Sequence, residues 1–280
     1  AEILDLQERG LKKLLQALAT IGYVSEKNGR FHNTQVTQKW FFDTELIDLK
    51  SLMTSWDAFF KELWPHAPGI VRSGERPFQF YDFVESDPAL SHAFQQTLIG
   101  SANIMGPDVV KKISLPQESA RLLDIGGGHG QFAIQFCQVN EHLQATIVDS
   151  AHDAEDRIAL VPSDIWEMDW GQNYDLILLF NFIHHYDINT NIALLQKANA
   201  ALKPGGQVAI LDQLEGAVSG AATNAIVQLV GFMYYIFADG RTFSRDEVKQ
   251  MLGQTGFNNA QFHSSAKWAG TSLVTAVKGN

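Results

Sequence analysis

The residues best suited to chemistry in this chain each follow a run of strand-like apolar residues: Asp124-Ile125-Gly126-Gly127-Gly128-His129-Gly130, then Asp149, then Asp164-Ile165-Trp166, then His184-His185, with Asp212 further on. Glycines after a strand let backbone approach a ligand closely. A dinucleotide fingerprint starting at Gly126 would need glycine where Gln131 stands, and Asp124 would repel a pyrophosphate. The pattern suits a positively charged nucleoside. S-adenosylmethionine has that character, with a sulfonium, an ammonium and no phosphate. Asp149, about 20 residues past the glycines, stands where a carboxylate accepts hydrogen bonds from ribose hydroxyls. Asp164 can accept from an exocyclic adenine amine, with Ile165 and Trp166 packing on the ring. The competing reading is a tight strand-to-helix turn without ligand and acids serving as helix caps, the commoner role of a single acid. Acids at three successive strand ends favour the ligand.

His184 and His185 lie just past the apolar run Tyr174 to Phe180, at the carboxyl end of a sheet where such ligands bind. A neutral imidazole, with an ordinary pKa of ~6.5, can take a proton from a hydroxyl acceptor. The segment Phe232-Met233-Tyr234-Tyr235-Ile236-Phe237 is apolar and aromatic. Phe180, His185, Phe232, Met233 and Tyr235 are therefore expected to wall a slot for a flat acceptor, with core packing or a subunit seam as the alternative. Adjacent histidines do not converge on one metal ion, and after Asp187 no further histidine occurs until His263, so no metal site is expected.

The elements that must position these residues alternate between strand-like and helical spacing. Strand patterns run over Leu122 to Ile125, Ala145 to Asp149, Ile158 to Val161, Tyr174 to Phe180, Gln207 to Asp212 and Leu273 to Val277. That alternation predicts an α/β fold built from parallel βαβ units. Between Asp149 and Ile158 only residues 150–157 remain, too few for a crossover with its helix. Either a short connection replaces the helix, or a stretch is missing from the sequence. Upstream, Leu11, Leu14, Leu15 and Leu18 recur at helical spacing before a polar hairpin over Ser25 to Phe31, a winged-helix pattern, and helices are expected over Leu46 to Leu63 and Pro88 to Leu98. The chain divides accordingly into a helical region at 1–98, expected to be incomplete at its N-terminus, and an α/β domain at 99–280.

Composition narrows the partners. A formal net charge of -10 over 280 residues disfavours phosphate backbones, so nucleic acid is not an expected partner. The winged-helix pattern keeps a small-molecule-sensing regulator as the rival from another class. The single cysteine, Cys137, excludes an intrachain disulfide and reads as a buried thiol of a reducing compartment. No basic leader followed by an apolar stretch opens the chain, and the apolar run Ala225 to Ala238 contains Gln228 and is too short to span a bilayer. A cytoplasmic protein without a membrane partner is expected.

Leu122 to Gly130, Asn181 to Asp187, Leu202 to Gly206 with Val208 to Asp212, Arg241-Thr242-Phe243 and Gly256-Phe257 occur in an order that resembles the S-adenosylmethionine-dependent O-methyltransferases of the hydroxyindole, caffeate and bacterial polyketide type. The resemblance covers nearly the whole chain. It implies a class I methyltransferase core with a Rossmann-like, mostly parallel seven-stranded sheet, preceded by a winged-helix region that makes a homodimer. It also implies His184 as general base, Asp212 as the acid clamping it, and Asp124, Gly126, Gly127, Gly128, Asp149, Ser150, Asp164, Ile165 and Asn181 as cofactor contacts. The implied reaction is O-methylation of a hydroxylated aromatic or polyketide-like molecule, leaving S-adenosylhomocysteine; the alternative is C-methylation of a tetrapyrrole or keto acid. One position departs from the pattern: the second clamping acid of the plant enzymes falls on Gly240, with Asp239 beside it as the candidate substitute.

Overall fold

The computed structural model describes residues 5–42, 47–116, 118, 120–149, 158–161, 164–216, 220–265 and 270–279. Helix α1 (Glu8–Thr20) leads into a hairpin of β1 (Val24–Lys27) and β2 (Arg30–Asn33). Asn28 and Gly29 close that hairpin at φ +52° and +72°, the positive values a two-residue turn requires. Helix α2 (Gln35–Phe41) is capped by Thr34 and α3 (Leu49–Ala58) by Asp48, and α3 continues through single π and 3-10 turns to His66. Helices α4 (Ala67–Ser73), α5 (Phe80–Glu85) and α6 (Pro88–Val110) complete the region. Phe59, Leu63, Ile70, Val84 and Leu90 form its core together with Ile236 and Phe237 from far along the chain.

Beyond α6 the chain alternates as expected: β3 (Ala120–Ile125), α7 (Gln131–Val139), β4 (Leu143–Val148), β5 (Ile158–Val161), β6 (Tyr174–Phe180), α8 (Ile188–Ala201) and β7 (Leu202–Glu215). Then come α9 (Ala221–Ala238), β8 (Phe243–Ser244), α10 (Arg245–Gln254), β9 (Phe257–Ser264) and β10 (Thr271–Lys278). The main path of the sheet runs β5-β4-β3-β6-β7-β10-β9, and the short β8 pairs beside the end of β7. From β5 to β7 neighbours are parallel, whereas β10 is antiparallel to both β7 and β9. Every residue of β6 is buried, as a strand covered on both faces demands. Ile177 and Leu179 face one core; Leu176, Leu178 and Phe180 face the other. The strand order turns outward in both directions from the gap between β3 and β6, the switch point where α/β sheets place ligands.

Several expectations change. The boundary at 98/99 falls inside α6, because that helix serves two cores: Leu90 and Ala93 lie buried near its start, and Ala102, Met105, Val109 and Val110 pack against the sheet. Strand β9 was not expected, since Asn258, Asn259 and Gln261 dilute its pattern on an edge strand exposed along one face. Helix α9 is longer than the apolar run read from the sequence, and by length and composition it is the one helix among the described residues able to cross a membrane. Residues 150–157, Ser150 among them, lie outside the described residues, and so does the choice between a short connection and a missing stretch.

Candidate active site

A cavity of about 580 Å³ lies between the helical region and the carboxyl ends of the strands at the switch point. At one end are the glycine turn and the acids. Gly126, Gly128 and Gly130 all have positive φ, and a Cβ at Gly126 would stand 2.3 Å from the Phe182 ring, so only glycine fits there. A Cβ at Gly127 would meet the Asp124 carboxyl at 2.6 Å. The Gly128 N–H donates to Asp149 Oδ2 at 2.8 Å, so the second strand-end acid, read from the sequence as a ribose contact, also ties down the turn. Asp124 is 2% exposed, and burial, then the neighbouring Asp149, push its carboxyl up to about 7. Asn181, at φ +49°, completes this end, and its N–H donates to the Leu211 carbonyl.

At the centre stand the histidines. A 3-10 turn, Ile183–His185, follows β6 and puts both rings in the cavity wall. His184 Nδ1 lies 2.9 and 3.0 Å from the two Asp212 oxygens, and the His184 N–H also donates to Asp212 at 3.3 Å. A proton on Nδ1 shared with a carboxylate leaves Nε2 as the basic atom. Burial, then the closeness of His184, pushes the His185 imidazole down to about 3, so it stays neutral. His185 Nε2 and the Tyr81 hydroxyl share a hydrogen bond at 3.1 Å, a contact between α5 and the histidine turn.

Asp239 does not replace the acid absent at Gly240. It caps α9 at φ +58°, its side chain is 73% exposed, and it pairs with Arg76 at 2.8 Å. A Cβ on Gly240 would lie 2.5 Å from the His184 carbonyl oxygen, which already accepts from the Arg241 N–H at 2.9 Å. No side chain fits between them. The second face of the imidazole is covered instead by Tyr234, stacked at 3.9 Å and 6°, its hydroxyl donating to Gln213, whose amide donates to Thr271 at 3.0 Å. Gly240→Ala is expected to cost about 1–3 kcal/mol in denaturant unfolding as the His184 turn is displaced. Wild-type stability would show that this backbone yields freely.

The remaining expected residues divide. Phe180 and Met233 line the cavity with His185. Phe232 does not: it is 39% exposed and packs edge-on against Trp64 on the opposite side of α9. Tyr235 is likewise outside, its ring under the Arg76 guanidinium at 4.9 Å. Asp164 and Ile165 are not among the residues lining the cavity: Asp164 accepts from the Trp166 N–H at 2.7 Å in a local turn, and Ile165 packs against the sheet core. The helical spacing of α9 explains the aromatic split, since successive residues point to different sides. Sequence reasoning missed Tyr81, which arrives from a distant helix. It also missed Asn191, fully buried, whose amide donates to the Ile183 and Tyr186 carbonyls at 2.9 and 3.1 Å and so holds the histidine turn. A lone amide among Leu194, Leu195 and Ala198 on the apolar face of α8 was the available signal.

Among the described residues no three His, Cys, Asp or Glu side chains gather as a metal site. Residues 101–261 match a family described as a methyltransferase domain. Demethylspheroidene O-methyltransferase of Rhodobacter capsulatus is 27% identical over 215 residues, 74% of this chain and 53% of that protein, so the chain spans about half the length of that relative. L-tyrosine C(3)-methyltransferase of Streptomyces lavendulae is 24% identical, covering 98% of this chain and 81% of that protein. In structure the chain is similar to human N-acetylserotonin methyltransferase in complex with SAM, with a TM-score of 0.82, 17% identity and coverage of 98% and 84%.

Proposed function

Because this chain belongs to the methyltransferase-domain family, we propose that it transfers a methyl group from S-adenosylmethionine to a hydroxyl of a small aromatic acceptor. The observation that carries this is a single cavity holding both a buried, acid-lined glycine turn and a carboxylate-paired histidine. The cofactor fits: its positive charge would suit Asp124 and its ribose hydroxyls Asp149, no lysine or arginine lines the cavity among the described residues, and the close approach at Gly126 and Gly127 leaves room for backbone contact only. Asp124, Gly126, Gly127, Gly128, Asp149 and Asn181 would hold it.

When bound, the cofactor supplies an electrophilic methyl group and leaves as S-adenosylhomocysteine. The protein's own tasks are alignment and proton removal. His184 Nε2 takes the acceptor proton, and Asp212 holds the tautomer and stabilises the imidazolium. Tyr234 fixes the ring plane, and its phenol, held well above its ordinary pKa by burial and by Asp212, stays neutral beneath it. Phe180, Met233 and Phe237 supply flat apolar wall.

Ile226, Leu229 and Phe232 of α9 and Phe60 and Val71 of the helical region remain exposed. These apolar faces support a homodimer built through region 1–98 and α9. Arg76 donates to the Tyr235 carbonyl of α9 at 2.9 Å, and Ile236 and Phe237 enter a protein core, which supports reading α9 as part of a globular fold. The test is incubation with methyl-labelled cofactor and a panel of hydroxylated aromatics, with the methyl located in the product. An oxygen-bound methyl and equimolar S-adenosylhomocysteine are expected; a carbon-bound methyl would shift the reading to C-methylation.

A further inference from the structure

Building on that methyltransferase reading, we propose that the acceptor is an electroneutral aromatic carrying a hydrogen-bond donor, received by Gln95, and that aromatic carboxylates are excluded. Far from the glycine turn the cavity is walled by rings: Trp56 and Phe59 from the α3 segment, Phe80 from α5, Phe94 from α6 and Phe237 from α9. Aromatic faces carry partial negative charge. The acidic side chains lining the cavity among the described residues are Glu85, Asp124 and Asp149, the histidines are His129, His184 and His185, and neither lysine nor arginine joins them. His185, the histidine beside His184, is neutral at working pH.

A carboxylate entering this space would lose its water and find neither lysine nor arginine in the wall, while the His184 imidazole is already paired with Asp212. An uncharged ring meets no such penalty. Gln95 adds a positive preference. It lines the cavity from α6, and its Oε1 is buried without a hydrogen-bond partner among the described residues. Buried carbonyls rarely stay unpaired, and an acceptor N–H or O–H would supply the missing donor. A carboxylate oxygen would instead face a carbonyl oxygen.

The probes are a hydroxynaphthoic acid, its methyl ester, its primary amide and its N,N-dimethylamide, titrated by calorimetry into the full-length protein with S-adenosylhomocysteine present. The ester and amides should bind at least ~30-fold more tightly than the acid. Gln95→Leu should weaken the primary amide ~5–10-fold and leave the dimethylamide within about twofold. Gln95→Arg should raise affinity for the acid at least ~10-fold by supplying the cation. Equal or tighter binding of the acid by wild-type protein, or no binding of any probe, overturns the proposal; equal losses for both amides in Gln95→Leu remove Gln95 from it. The methyltransferase reading fails separately, if the ester outbinds the acid yet never receives a labelled methyl group.

Discussion

His184→Ala should lower turnover on a hydroxyl acceptor by roughly 10²–10⁴-fold, the range a positioned general base contributes, with cofactor affinity close to wild type. The separation follows from geometry: His184 is 6% exposed at the centre of the cavity, while the acids and glycines expected to hold the cofactor lie at one end. Asp212→Asn should produce a loss of about 10²-fold or more with little change in packing. An amide can present its N–H₂ to Nδ1, which would move the imidazole proton to Nε2 and remove the basic atom from the acceptor. Both losses should shrink for acceptors whose hydroxyl is already acidic, because less proton removal is asked of the enzyme. Rapid-quench turnover across phenols of graded acidity measures this. Unchanged turnover in His184→Ala would take that residue out of the mechanism.

Asp124→Asn should weaken S-adenosylmethionine binding by ~10²-fold or more, yet raise the melting temperature of the ligand-free protein. A carboxyl pushed up to about 7 by burial and by Asp149 is held in its folded position against its own ionisation. Since the folded pKa exceeds the unfolded one, its contribution favours folding at low pH and is lost as pH rises from about 4 towards 7. At pH 7.5 the ionised group therefore costs the empty protein on the order of 2–4 kcal/mol, and an amide removes that cost. A cationic ligand reverses the balance by favouring the ionised form. Affinity should accordingly be flat above about pH 7.5 and decline up to ~10-fold per unit below 7, where binding must displace a proton. Calorimetry across pH 5.5–8.5, with thermal unfolding of both proteins, checks it; pH-independent affinity in the wild type would contradict the pairing of Asp124 with the ligand's charge.

The parts of this chain that were legible in the sequence are those where one short segment carries its own constraint. Asp124 to Gly130 announces a strand, a turn that only glycine can make, and a helix start, and the structure has all three. Tyr174 to Phe180 reads as a doubly covered strand, and it is one. His184 and Asp212 were paired by resemblance in register, and they sit within hydrogen-bonding distance. What stayed hidden depends on contacts between distant segments. Tyr81 reaches His185 across 104 positions, and no local pattern marks that meeting. The empty place at Gly240 read as a deficiency, and Asp239 as its remedy, because sequence alone does not show that the His184 carbonyl occupies the space a side chain would need. In α9 the aromatic run suggested a pocket, but helical geometry turns Phe232 and Tyr235 away from it while keeping Met233 and Tyr234 within.

The division of labour along α6 bears on how such an enzyme changes its diet over evolutionary time. Leu90 serves one core and Ala102 and Val109 the other, whereas Phe94, Gln95, Thr97 and Leu98 face the cavity. Substitutions at those four positions can retune which molecule is accepted while the helix stays anchored at both ends. The same helix gives selection a dial for selectivity mounted on a beam it cannot afford to bend.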